Sequence, residues 1–149
     1  MQTVQTSRFG SIEVDEHRMI HFPEGLLGFP KHKEFALLED KPGSPFFWLQ
    51  SLDDPGLAFV MTNPFFFKND YLQGLSPEEK TLFVNEQGEE MVLFTLVSVP
   101  AGHPEKATTN LLGPLVIDTT KRTGKQLILP STGYSHRYPL MNPSAGPSL

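Results

Sequence analysis

The sequence predicts a mostly β protein, a single compact barrel-like domain of short antiparallel strands with one short helix. The chain has 12 glycines and 14 prolines, which are spread over its 149 residues and separate many short segments. The longest apolar run, residues 91–100, has the length of a strand, and one segment alone has the pattern of a helix start. Many short strands with frequent turns are typical of a β-sandwich or a β-barrel.

The first elements are short strands and an irregular loop. Residues 2–14 predict a hairpin that turns near Gly10, because apolar and polar residues alternate in its second half. A short strand over residues 19–22 is stopped by a proline. Residues 22–30 (FPEGLLGFP) contain two prolines and two glycines, which exclude regular structure there. We expect this loop to be held to the core by three apolar side chains, Leu26, Leu27 and Phe29.

A strand over residues 34–39 precedes the most aromatic part of the chain. Residues 46–67 hold seven of the sixteen aromatic residues, and their only charges are Asp53 and Asp54. Two apolar runs flank the turn Asp-Asp-Pro-Gly, which predicts a β-hairpin near the centre of the core. The hairpin ends in Asn-Pro-Phe-Phe-Phe. Because successive side chains on an extended segment point in opposite directions, these three rings cannot all face one core.

In our interpretation, Ser76 is the N-cap of the single helix. Serine is a good N-cap, proline suits the first helical position, and Glu79 completes a capping box. The pattern predicts a short helix over residues 77–84. Its expected buried side consists of three apolar residues, Leu75, Leu82 and Phe83.

Two further strand regions follow. Residues 91–99 (MVLFTLVSV) predict a central strand that is buried on both faces near its start. Residues 108–119 and 125–129 predict a last strand pair around a turn with Lys121 and Arg122 at its tip. Proline at position 114 should kink the first of these strands or place it at an edge. Composition changes after residue 140, so we expect one domain over residues 1–140 and a disordered tail over residues 141–149.

Composition limits the possible functions. The formal net charge is −5, which argues against direct binding of nucleic acid, because a phosphate backbone is gripped by clustered Lys and Arg. The chain has no cysteine, so disulfides and thiolate chemistry are excluded. No apolar run approaches the roughly 20 residues that span a bilayer, and no secretory signal is evident. The lack of cysteine fits a cytoplasmic protein, and we expect it to be a monomer when unbound.

Patterns of catalysis or cofactor binding are few. The sequence has no phosphate-binding loop and no nucleophile or metalloprotease motif, so we expect no enzyme activity, no cofactor and no metal. His17 and His21 have a helical spacing but lie at a predicted strand start. Asp53 and Asp54 are paired carboxylates, but in a turn their expected role is to accept hydrogen bonds from nearby N–H groups. The basic tip that holds Lys121 is expected to be a solvated loop.

The aromatic excess after the central hairpin suggests a surface for a protein partner. Aromatic residues dominate the energetic centres of interfaces, and a proline-terminated strand limits sheet pairing here. Core packing explains one or two of the three phenylalanines, and the alternative that all are core remains open. The candidate partner-binding residues are Phe65, Phe66, Phe67, Asp70 and Tyr71.

Five motifs resemble one known family. Their sequences, in chain order, are FPEGLLGF (residues 22–29), FWLQSLDDPGLAF (47–59), NLLGPLVIDT (110–119), GKQLIL (124–129) and YSHRYPL (134–140). Each is weak alone, but together and in this order they resemble the bacterial flagellar assembly factor FliW over residues 3–140. Residues 72–90 and the tail after residue 140 depart from the resemblance.

The resemblance implies a barrel-like fold, a cytoplasmic location, no enzyme activity and two alternative protein partners. One partner is flagellin, and the other is the translational repressor CsrA, a small dimeric RNA-binding protein. Binding to CsrA would relieve repression of flagellin mRNA. Flagellin would sequester the factor until the flagellin is exported. From the charge of the chain we add the hypothesis that negative charge placed near the RNA path helps to displace RNA.

Three other functions stay open at this point. A small β-barrel hydrolase would need a polar pocket in which a histidine meets a carboxylate. A ligand carrier would need an empty interior of several hundred Å³, on the order of known ligand pockets. An RNA-binding barrel would stack bases on exposed aromatic rings, which the acidic balance disfavours.

Overall fold

The computed structural model describes residues 1–130 and 132–141. Eleven strands and one α-helix, α1 (Pro77–Lys80), form its regular structure within those residues. The strands are β1 (Gln2–Thr6), β2 (Gly10–Val14), β3 (Met19–His21), β4 (Glu34–Glu39), β5 (Phe46–Ser51), β6 (Ala58–Thr62), β7 (Val92–Ser98), β8 (Thr108–Thr109), β9 (Leu115–Asp118), β10 (Thr123–Gln126) and β11 (Tyr138–Pro139). Short 3-10 turns lie between several of them. The predicted mostly β fold is confirmed, whereas residues 142–149 of the expected tail lie outside the described residues.

Seven strands close into a barrel. Hydrogen bonds join them in the order β7-β6-β5-β4-β3-β10-β9, and β9 pairs again with β7. All of these pairings are antiparallel except that of β3 with β10, which is parallel and rests on the single pair Thr123 and His21. Closure removes free sheet edges around the ring. Strands β8 and β11 extend the sheet outward from β7.

The interior of the barrel is filled by its own side chains. Strand residues that alternate along the chain point inward and form one apolar cluster with the loop residue Phe22. Packing is close, since a Cβ added at Gly124 would lie 2.4 Å from Cζ of Phe22. Side chains of this cluster that are at most 2% exposed are Ile20, Phe22, Phe35, Leu49, Met61, Leu115 and Ile117.

The N-terminal hairpin, β1 with β2, covers the outside of the barrel. Its Val4 and Val14 pack with Ala36 of β4 in a second apolar cluster. The predicted hairpin is confirmed, with its turn over residues 7–9, next to Gly10. The barrel wall beneath this hairpin is therefore buried on both faces.

The central hairpin is formed by β5 and β6, as predicted. Its loop is held by the two acidic residues expected to act structurally. Asp53 Oδ2 accepts from the main-chain N–H groups of Lys33 and Glu34 at 3.2 and 3.3 Å. Asp54 Oδ1 accepts from the N–H of Gly56 at 2.9 Å. The prediction that these carboxylates serve the turn is confirmed.

The loop FPEGLLGFP differs from the expectation at one residue. Leu26 is buried and Phe29 packs against the core, as predicted, but Leu27 is 62% exposed. The tight turn between Leu26 and Phe29 explains this, because the main chains of those two residues bond to each other and leave Leu27 at the tip. Gly28 has φ of +84° there, a conformation that glycine adopts readily.

The helical segment is shorter than predicted. Ser76 and Glu79 form the expected capping box, but α1 ends at Lys80 and continues as a 3-10 turn over Thr81–Phe83. Leu75 is buried, whereas Leu82 is 42% exposed, so the expected buried side is partly wrong. So short a helix makes less than two turns, and it cannot align three apolar residues on one face.

The later strands also differ from the pattern. Strand β7 begins with the exposed Val92, so it is not buried on both faces near its start; its buried residues are Phe94 and Thr95. The predicted long strand over residues 108–119 is divided into β8 and β9, with Pro114 immediately before β9. Proline lacks the N–H that would continue the ladder, which accounts for the division.

Candidate functional site

The candidate partner-binding residues lie in one irregular segment, residues 63–71, which follows β6 and which we call the aromatic segment. Asn63 begins it as an N-cap, since its Oδ1 accepts from the N–H of Phe65 at 3.0 Å. A 3-10 turn over Pro64–Phe66 follows, and the N–H groups of Phe67 and Lys68 both bond to Pro64 O. Polar capping and a buried proline thus fix the backbone of this segment without sheet pairing.

The three phenylalanines have different environments. Phe66 is 71% exposed and Phe65 is 40% exposed. Phe67 is half-buried, and its ring stacks on Phe46 of β5 with a centroid distance of 6.4 Å. Two of the three rings are therefore available at the surface, and a rigid turn holds them there.

Tyr71 is buried and not part of that surface. It is 1% exposed, its hydroxyl donates to Leu111 O at 2.5 Å, and its ring lies 4.8 Å from that of Tyr134. Burial, with a smaller contribution from Tyr134, raises the pKa of Tyr71 above its ordinary value. The expectation that Tyr71 contacts a partner directly is wrong for its side chain; the residue supports the aromatic segment from below.

Asp70 lies at the surface and is paired. Its carboxylate accepts from Lys68 Nζ at 2.9 Å, and this contact lowers the pKa of Asp70 and raises that of Lys68. The same ammonium lies 6.0 Å from the ring centroid of Tyr138. Both charges thus belong to the same segment as the exposed phenylalanines, and charged groups of this kind are typical of the polar border of an interface.

An apolar cavity of about 340 Å³ adjoins the ring of Phe65. Leu72, which lines it, has φ of +72°, and its N–H donates to the Tyr134 hydroxyl at 2.7 Å. This left-handed backbone is unusual for leucine, so the contact with Tyr134 holds a strained conformation beside the cavity. The apolar side chains that line it include Phe65, Leu72, Leu75, Phe83, Met91 and Leu93.

Among the described residues, the two contacts between a histidine ring and a carboxylate, His21 with Glu34 and His103 with Glu105, lie at the exposed surface rather than in an enclosed pocket. His21 Nδ1 contacts Oε2 of Glu34 between paired positions of β3 and β4, where each side chain is 47% exposed. In residues 1–130 and 132–141, no three side chains of His, Asp or Glu come together as a metal site would require. Within the same part of the chain, no helix has the length and apolarity to cross a membrane.

Sequence reasoning missed the contacts that build the site. Tyr71 meets Leu111 and Tyr134, which lie 40 and 63 positions further along the chain. The motif YSHRYPL carries part of the family resemblance, yet nothing local in it indicates that Tyr134 packs under the aromatic segment. The fold and this surface define a small closed barrel with a filled interior and a rigid, exposed pair of aromatic rings.

Comparison with known proteins identifies the family. The model of the family described as FliW protein matches residues 3–140, and the chain belongs to that family. A flagellar assembly factor FliW from Magnetococcus marinus is 43% identical over 138 residues, which are 93% of this chain and 84% of that protein. One from Natranaerobius thermophilus is 40% identical over 139 residues, which are 93% of this chain and 92% of that protein.

A solved structure supports the same assignment. The crystal structure of a flagellar assembly factor FliW superposes with a TM-score of 0.78 at 32% sequence identity, and the match covers 95% of this chain and 98% of that one. The resemblance inferred from the five motifs and the predicted barrel are thereby confirmed.

Proposed function

We propose that this protein is a cytoplasmic, non-enzymatic flagellar assembly factor that binds flagellin and, alternatively, the translational repressor CsrA. Membership of the FliW family supports the first part of this proposal, because the relatives named above are flagellar assembly factors. The binding partners follow from what the motif resemblance implies. On this proposal, protein that is not bound to flagellin binds CsrA and relieves the repression of flagellin mRNA by CsrA.

The observation that carries the proposal is the exposed aromatic surface on a filled barrel. The interior holds closely packed apolar side chains, so function is expected on the outside. Phe66 is 71% exposed on a turn that hydrogen bonds already fix. A partner that covers this ring gains apolar contact with little loss of conformational freedom in the segment.

The charge of the chain supports CsrA as one of the partners. A formal net charge of −5 favours encounter with a basic RNA-binding protein and disfavours binding of RNA by the chain itself. The two partners then give a feedback circuit. Flagellin that accumulates before export holds the protein and leaves CsrA free to repress, and export reverses this state.

The test is binding by purified components with a Phe66→Ala variant. The chain is mixed with flagellin or with CsrA from the same bacterium, and complexes are measured by calorimetry and gel filtration. We expect Phe66→Ala to weaken at least one complex about tenfold or more, the effect of losing an interfacial aromatic anchor. The matched control is Leu27→Ala, which removes a similarly exposed apolar side chain, 62% against 71%, from a different loop.

The melting temperature separates binding from folding in this test. Both variants should melt with the wild type, because the truncated side chains are largely exposed. If the wild-type chain binds neither partner, the proposed function is wrong. If both complexes form and Phe66→Ala leaves both affinities unchanged, the function stands but the aromatic surface is not where it resides.

A further inference from the structure

Tyr134 lies late in the chain, yet its side chain contacts the end of the aromatic segment. Its hydroxyl accepts from the main-chain N–H of Leu72 at 2.7 Å. Tyr134 is itself held in place by its neighbours: its own N–H donates to the Thr132 hydroxyl at 3.3 Å, and the N–H of Leu111 donates to Ser135 O at 3.0 Å. A late segment of the chain therefore supplies a fixed acceptor for the residue that follows the aromatic segment.

Leu72 needs such an acceptor because its backbone is strained. Its φ is +72°, in the left-handed region that leucine rarely adopts. Strained conformations of this kind persist only where the surrounding structure determines them, and the bond to Tyr134 is a contact that does so. A relaxed backbone at Leu72 would turn the chain in another direction, and its side chain would leave the cavity that it lines together with Phe65.

A series of aromatic rings also connects Tyr134 with the exposed surface. Its ring centroid lies 4.8 Å from that of Tyr71, and the centroid of Tyr71 lies 5.8 Å from that of Phe65. Tyr71 is buried, whereas Phe65 is 40% exposed and precedes the more exposed Phe66. Tyr134 is therefore linked to the exposed residues by two routes, the ring of Tyr71 and the main chain of Leu72.

We propose that Tyr134 is a positioning residue for partner binding, an inference that rests on the function proposed above. Its hydroxyl keeps Leu72 in the left-handed conformation, and this keeps Phe65 and the adjoining cavity in the arrangement that a partner covers. Without the hydroxyl, the strain at Leu72 favours other conformations of residues 72–75. The apparent dissociation constant rises in inverse proportion to the fraction of the protein in the binding-competent arrangement. Tyr134 thus acts through Leu72 and not by touching the partner.

The test compares Tyr134→Phe with the wild type in binding flagellin and CsrA. The substitution removes the hydroxyl and keeps the ring beside Tyr71. We expect the complex that Phe66→Ala weakens to be weakened about three- to tenfold, the factor that corresponds to the net free energy of one hydrogen bond. The matched control is Tyr138→Phe. That hydroxyl lies 3.4 Å from Phe67 O, a weak contact with a residue of ordinary backbone conformation, so affinity should not change.

Three further measurements separate positioning from a loss of stability. Gly124→Ala, which destabilises the barrel from its interior, should lower the melting temperature and leave affinity unchanged. ¹⁵N relaxation dispersion should show exchange on the microsecond-to-millisecond timescale at the N–H groups of Phe65 and Leu72 in Tyr134→Phe but not in the wild type. In a Leu72→Asn background, Tyr134→Phe should change affinity by less than about twofold, because asparagine adopts the left-handed conformation more readily than leucine.

Several results would overturn the inference while the proposed function stands. They are unchanged affinity in Tyr134→Phe, an equal loss of affinity in Gly124→Ala, and wild-type complexes that do not depend on Phe66. If the wild type binds neither partner, the proposed function is wrong, and the relaxation measurement then decides whether Tyr134 orders the surface. Exchange at Leu72 in Tyr134→Phe would support that role, and its absence would overturn it.

Discussion

Substituting Tyr71 tests whether its side chain is buried beneath the aromatic segment, as the structure shows. Tyr71→Phe keeps the ring and removes the hydroxyl that donates to Leu111 O. Leu111 is 1% exposed, so its carbonyl would be left without a donor in a dry environment. Leaving a buried polar group unsatisfied costs about 1–3 kcal/mol of the free energy of unfolding. For a chain of this size, a loss of about 2 kcal/mol lowers the melting temperature by roughly 4–8 °C.

Two further variants of the same segment complete the comparison. Tyr71→Ala removes the ring as well and should cost about 3–5 kcal/mol, the usual range for a large buried aromatic. Phe66→Ala, five positions earlier, should change stability by less than about 0.5 kcal/mol because the ring is mostly exposed. Urea unfolding followed by circular dichroism measures all three. If Tyr71→Phe unfolds with the wild type while Phe66→Ala does not, the assignment of buried and exposed rings is reversed.

The pKa of Tyr71 gives the same prediction a dependence on pH. Burial raises the pKa in the folded state, so between the ordinary tyrosine pKa of 10.0 and the raised one the unfolded chain loses this proton first. The stabilising contribution is therefore complete below pH 10 and declines as pH rises above it. The wild type should lose stability more steeply than Tyr71→Phe above pH 10. Parallel curves for the two proteins would contradict this reasoning.

The remaining predictions concern the packing, a turn and the charge. Gly124→Ala should destabilise the fold by about 1–3 kcal/mol, because the new methyl group meets the buried ring of Phe22; thermal melts check this, and an unchanged melt would contradict the close packing. The carboxylate of Asp118 accepts hydrogen bonds from the main-chain N–H groups of Lys121 and Thr120, and these bonds lower its pKa. Its contribution to the free energy of unfolding should therefore be present above pH 4 and be lost as pH falls through the lowered pKa. Asp118→Asn should flatten the dependence of stability on pH in that acid range. If negative charge helps to displace RNA from CsrA, displacement should weaken as salt rises, and an effect independent of salt would discard that idea.

Local patterns in the sequence were sufficient for elements that depend on their own residues. Strand β4 has the bounds that its apolar run predicts, and Ser76 caps α1 as its spacing with Glu79 indicates. In the turn of the central hairpin, Asp54 accepts from the N–H of Gly56, two positions further on, as the composition of the turn indicates. In each case the determining interactions lie within a few residues or follow from the period of the strand.

Long-range contacts account for what the sequence did not predict. The parallel pairing of β3 with β10 closes the barrel through residues about 100 positions apart, and no local pattern signals it. Tyr71 is buried because Leu111 and Tyr134, which lie much later in the chain, pack against it. Leu27 is exposed because a hydrogen-bonded turn directs its side chain outward, although an apolar side chain suits the core. The pairing of Arg8 with Trp48 likewise depends on the placement of one hairpin over another.

The central claim is that this barrel acts by offering its exterior to one of two polypeptides at a time. Competition tests it most directly: preformed complex of the chain with labelled CsrA is titrated with monomeric flagellin, and fluorescence anisotropy follows release of the label. The account predicts that flagellin releases CsrA in a saturable manner and that RNA binding by CsrA returns with it. If a stable ternary complex forms instead, or if flagellin leaves the CsrA complex intact, the two partners are not alternatives and the claim is contradicted.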